Sequence, residues 1–115
     1  KADIINGLNL GGADANVSSI LIDLTQRETM NVSASFAKLL LREAQPNMRI
    51  RSNSHKFASF IVLKAPDTPS VLFETGYITN ADDVAFLSSV DGQQKIGRSV
   101  ASAIQVHFAR RLAQR

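Results

Sequence analysis

Glu74 follows the run Ser70-Val71-Leu72-Phe73 and is followed by Thr75-Gly76. That run reads as a buried strand, and open α/β sheets carry their ligands beyond the carboxyl ends of strands. A glutamate at such a position can take a proton from water and return it to a leaving group. The competing reading is a surface glutamate at a strand exit, or one that caps the next turn. Glu28 is the second candidate. It falls four residues after Leu24 and four before Val32, in the middle of an apolar helical stripe. A carboxylate there is costly unless something pairs with it, so the alternatives are a paired structural glutamate and a metal contact. The two histidines, His55 in a polar loop and His107 near a helix seam, match no metal-ligand spacing. His55 reads as a surface residue or a substrate-side contact, His107 as a packed helix residue. No glycine-rich phosphate loop, nucleophile elbow or serine triad pattern is present.

The elements that must position these side chains follow from periodicity. A loop over 11–14 leads into a helix over about 17–44, with Asp14 or Asn16 as N-cap and Gln45-Pro46-Asn47 as its end. Its inner face is expected to comprise Val17, Leu21, Leu24, Val32 and Leu39, flanked by Ile20 and Phe36. Residues 48–51 could form a short strand with one wet face. Residues 60–63 and 70–73 read as strands buried on both faces, joined by a proline-rich link. Asn80 caps a short helix that runs to about Ser89, with Asp83 imitating a capping box. Asp91 caps the last helix, whose seam is Ile96, Val100, Ile104 and Phe108. Strands alternating with helices imply an α/β sheet.

Composition sets the outer limits. The 115 residues suit one small domain or part of a larger one, and 44% hydrophobic with 20% charged residues is ordinary for a globular protein. No apolar run is long enough to span a bilayer. No leader is recognisable, and the opening at Lys1 reads as the middle of something, with any export signal expected upstream. The net charge of +3 favours a solvated surface over a nucleic-acid face. Arg110, Arg111 and Arg115 gather at the end without interleaved aromatics, and cations suit a helix C-terminus. The absence of cysteine excludes disulfides and thiolate metal sites.

The segment VLKAPDTPSVLFETGYITN, over 62–80, resembles a signature of the zinc-dependent N-acetylmuramoyl-L-alanine amidases. ILIDLTQRETMNVSASFAKLL, over 20–40, looks like the helical insertion of their AmiA, AmiB and AmiC cell-separation group, and KADIINGLNL resembles what precedes it. The resemblance covers essentially the whole chain. It implies a central mixed β-sheet flanked by helices, of which this chain would be the C-terminal part. It implies that Glu74 is the catalytic glutamate, and that 14–44 is a regulatory helix region lying over the active site. Glu28 on that helix would approach the zinc until an activator of the degenerate LytM type displaced it. The substrate would be peptidoglycan, cleaved between N-acetylmuramic acid and L-alanine in the periplasm during cell-wall remodelling and daughter-cell separation.

The departure concerns the metal. The family holds zinc with two histidines and a glutamate from the N-terminal half of the domain, and those motifs do not occur here. His55 and His107 do not replace them. The expectation is therefore that the zinc ligands lie upstream and that this piece alone is inactive. The alternative reading is a catalytically inactive amidase-like module that binds peptidoglycan or a partner.

Overall fold

The computed structural model describes Ile4–Ile5, Leu8–Asn9, 15–50 and 66–114. Two short strands, β1 (Ile4–Ile5) and β2 (Leu8–Asn9), pair antiparallel with Ile4 opposite Asn9 and Ile5 opposite Leu8. Three helices follow: α1 (Ala15–Ala44), α2 (Ala81–Ser88) and α3 (Val90–Ala113). The chain forms two compact units. One draws on Lys1–Ser35 and Phe57–Val71, the other on Phe36–Lys56 and Leu72–Arg115. None of the described helices is long and apolar enough to cross a membrane.

The central mixed β-sheet flanked by helices is corrected by this architecture. Among the described residues the only sheet is the two-stranded hairpin. Residues 48–50 and 70–73, both read as strands, pair with no neighbour there. An apolar run supplies the face of a strand but not the second backbone, and without a ladder its N–H and C=O groups have no strand partner. The expected strand over 60–63 and His55 lie outside the described residues.

α1 contains no glycine or proline over its 30 residues, which lets it run unbroken. It stops where Pro46 removes a donor: the Ala44 carbonyl accepts from Asn47 N at 2.9 Å and Met48 N at 3.0 Å. Asn47 Nδ2 donates to the Glu43 carbonyl at 3.2 Å, covering another orphan acceptor of the last turn. Within the first unit, α1 binds the proline-rich link through hydroxyls. Thr29 Oγ1 donates to Pro66 O at 2.8 Å. Ser33 Oγ donates to Thr29 O at 3.0 Å and accepts from Ser70 N at 2.9 Å.

The covered face of α1 departs from the expected stripe in the first unit, whereas Leu39 and Phe36 of that expected face do lie at the core of the second. Thr29 is buried, whereas Val17, Ile20 and Leu24 are exposed. Glu28 is exposed too, which corrects its inward placement. The shift has a clear cause: threonine and serine can face inward when each hydroxyl finds a carbonyl or an amide.

The second unit has its core at Leu39, Leu40 and Ala103, with Phe36, Phe73, Val100 and Val106 packed against it. Each buried leucine contributes roughly 2 kcal/mol. α3 meets this core through Ser99 and Ala103, both fully buried. Ser99 Oγ donates to Lys95 O at 2.8 Å and accepts from Asn47 Nδ2 at 3.0 Å. The expected seam is met in part: Val100 packs on this core, whereas Ile104 and Phe108 are exposed. Ala103→Leu should overpack this contact and cost about 1–3 kcal/mol, read as a lower denaturant midpoint at unchanged slope.

Candidate active site

Ser89 joins α2 to α3 and caps both. Its N–H bonds to Phe86 O at 3.3 Å, and its Oγ accepts from Gly92 N at 2.9 Å. Ser89 rather than Asp91 is therefore the N-cap of α3; Asp91 lies in the first turn and pairs with Lys95 at 2.9 Å. Gly92 is required at this corner, since a Cβ there would fall 1.8 Å from the Phe86 carbonyl oxygen.

α2 begins as its sequence suggests. Asn80 Oδ1 accepts from Asp83 N at 3.0 Å, and Asp82 and Asp83 place negative charge in the first turn. The Asp83 side chain does more than the capping reading provides. In a capping box the acidic side chain reaches back to the N–H of the cap residue, usually from a glutamate. Here Asn80 N donates to Tyr77 O at 3.1 Å, closing a turn. Asp83 Oδ2 instead accepts from Tyr77 N at 2.9 Å. The carboxylate thus ties the start of α2 to the segment that carries Glu74.

Exposure alternates along that segment. Leu72 and Glu74 are exposed, while Phe73 and Thr75 are half-buried. Side chains of extended backbone point alternately to opposite faces. Phe73 packs on the Leu39–Leu40–Ala103 core, so Glu74 is turned away from it. This also corrects the expectation of a run buried on both faces. Gly76 completes the arrangement: a Cβ there would lie 3.1 Å from Asp83 Cβ, 3.2 Å from Asp83 Cγ and 3.3 Å from Leu87 Cδ1. A side chain at Gly76 would be a tight fit, and Asp83 or Leu87 would have to give by a few tenths of an ångström.

The candidate residues fall in different places. Glu28 belongs to the first unit, Glu74 and His107 to the second. His107 is a packed helix residue, with its ring edge-on to Phe36 at 5.4 Å and to Phe108 at 5.0 Å. Among the described residues no three His, Cys, Asp or Glu side chains converge to hold a metal ion. The described residues therefore do not by themselves fit a zinc site. Asp83 and Gly76 were not singled out as site residues from sequence. The available signal was an aspartate, one methylene shorter than glutamate, at the third position of the helix.

The chain belongs to the N-acetylmuramoyl-L-alanine amidase family, which it matches over residues 6–106. Among its relatives, the N-acetylmuramoyl-L-alanine amidases AmiA of Salmonella typhimurium and of Escherichia coli K12 are each 32% identical over 94% of this chain and 37% of their own length. AmiC of Escherichia coli O6:H1 is 33% identical over 94% of this chain and 26% of its own length. The chain thus spans just over a third of the AmiA relatives. No solved structure matches it.

Removing the Asn80 side chain should uncap α2. Asn80→Ala is expected to lower stability by about 1 kcal/mol in urea titrations.

Proposed function

We propose that the protein to which this chain belongs is a peptidoglycan hydrolase that cleaves the amide between N-acetylmuramic acid and L-alanine, with Glu74 as its proton-transfer residue. The observation that carries the reading is the placement of Glu74: exposed, facing away from the core that holds Phe73, and followed by a backbone tied to α2. Family membership over nearly the whole chain supports the choice of bond.

The carboxylate of Glu74 takes a proton from a water molecule, whose oxygen forms a bond to the lactyl carbonyl carbon. The C–N bond then breaks, and Glu74 returns the proton to the departing L-alanine nitrogen. The products are the lactyl carboxyl group and a free amine, between which the second proton of the water passes to give carboxylate and ammonium, so one carboxylate serves as base and then as acid. Zinc belongs to this proposal through the family resemblance, with ligands outside the described residues. A bound zinc supplies electrophilic assistance to the carbonyl and to water. The chain alone, without those ligands, is inactive.

The rest of the reading concerns control and place. The helix region 14–44 blocks the substrate groove, and the exposed Glu28 carboxylate contacts the metal in the resting state. An activator of the degenerate LytM type displaces the helix, a two-state switch. The site of action is the cell wall, in the periplasm, during remodelling and daughter-cell separation.

Glu74→Gln in the intact protein should lower turnover of purified peptidoglycan by about 10²–10⁴-fold. Turnover near wild type would refute the assignment and favour a binding module. Glu28→Ala should raise basal turnover severalfold while leaving the activator-stimulated rate unchanged. An unchanged basal rate in a folded variant would remove Glu28 from the blocking role.

A further inference from the structure

We infer that Asp83 is a positioning residue for Glu74, acting through the backbone of Tyr77; the inference rests on the proposed role of Glu74. Three observations carry it. The Asp83 carboxylate accepts the Tyr77 N–H at 2.9 Å, and its own N–H is held by Asn80 at 3.0 Å. The carboxylate is thereby fixed to the first turn of α2 as well as to the segment it grips. Gly76 brings the same backbone against Asp83, close enough that a Cβ would sit 3.1 Å from Asp83 Cβ. On its other side Glu74 adjoins Phe73, which packs on the core of the same unit.

Glu74 is thus spanned by two anchors, one residue before it and three residues after it. Only four positions separate the two anchors, so each restrains the Glu74 backbone through a short stretch of chain. Loss of the Asp83 bond leaves Phe73 in the core and the Asn80–Tyr77 turn bond in place, but loosens the hold of α2 on the Tyr77 amide and so on the Glu74 backbone. A proton-transfer group must lie within hydrogen-bond reach of its proton, and a misplacement of about 1 Å can cost on the order of 10²-fold. The effect falls on the chemical step more than on substrate binding.

The test uses the intact protein on purified peptidoglycan, with the melting temperature of each variant measured alongside. Asp83→Ala is expected to lower kcat by about 10²-fold with KM changed less than about twofold. Asp83→Asn keeps an oxygen that can accept the Tyr77 N–H, and should restore kcat to within a few-fold of wild type. Ser89→Ala removes the next helix cap of the same unit and measures the effect of stability alone: it lowers the melting temperature without lowering kcat. Gly76→Ala presses on the same contact from the other side and should give the kcat-selective loss of Asp83→Ala. A kcat for Asp83→Ala no lower than that of Ser89→Ala overturns the inference, as does an Asp83→Asn variant as impaired as Asp83→Ala. Glu74→Gln, run in parallel, separates the two levels. A dead Glu74→Gln beside a fully active Asp83→Ala defeats the positioning role alone, whereas an active Glu74→Gln defeats both.

Discussion

A carboxylate that is exposed and also held still requires restraint through the backbone, because its side chain has no core to pack against. Fixing one residue's backbone costs about 1–2 kcal/mol. An ordinary hydrogen bond returns about 0.5–1.5 kcal/mol, and one to a charged group about 1.5–3 kcal/mol. The segment between Phe73 and Asn80 could not be ordered by neutral turn bonds alone at that rate. It has an apolar anchor at Phe73 and a charged acceptor, Asp83, on the Tyr77 amide. The surface position of Glu74 depends on both.

The charged anchor is only as firm as the helix that carries it, and that helix is short. Eight residues are too few for a stable isolated helix. α2 draws its stability from its two ends. Asn80 and the acidic first turn hold one end; Ser89 closes the other and opens α3. α3 is in turn held by Ala103, which is buried with Leu39 and Leu40, and by Ser99, whose hydroxyl accepts from Asn47. Stability therefore passes from the aliphatic core through α3 and the Ser89–Gly92 corner to α2.

What could be read from sequence, and what could not, divides along the same physical lines. The extent of α1 was legible because Pro46 ends an otherwise unbroken helical stretch, and its end at Ala44 is where the chain chemistry put it. The Asn80 cap was legible because an asparagine before an acidic first turn has few other uses. The covered face of the first part of α1 was not. A pattern that ranks residues by hydrophobicity places Leu24 and Val17 inside and Thr29 outside, yet Thr29 and Ser33 are satisfied by Pro66 and Ser70, which are distant in sequence. The same blindness hid the burial of Ser99 in α3, where Asn47 donates to its hydroxyl. The sheet failed for a different reason. Strand character in 70–73 is a property of a pair, and periodicity within one segment carries no information about a second. Glu74 was singled out as the residue at the end of a buried strand, and no such strand forms there among the described residues; the inward placement of Glu28 inherited the misjudged face of the first part of α1.

The choice of aspartate at position 83 and glycine at position 76 is one geometric solution rather than two. A glutamate at the third position of a helix has the length to fold back on the cap residue, as capping boxes do. Aspartate is shorter, and its carboxylate can take the Tyr77 amide only if the incoming backbone comes close. Gly76 eases that approach, since a Cβ there would crowd Asp83 and Leu87 at 3.1–3.3 Å. Larger residues at 76 would push the amide out of reach of so short an acceptor. A longer acceptor at 83 would gain one further rotatable bond and grip the segment less rigidly. The short acid and the missing side chain therefore define each other, and together they set the distance between α2 and the strand-like segment that presents Glu74.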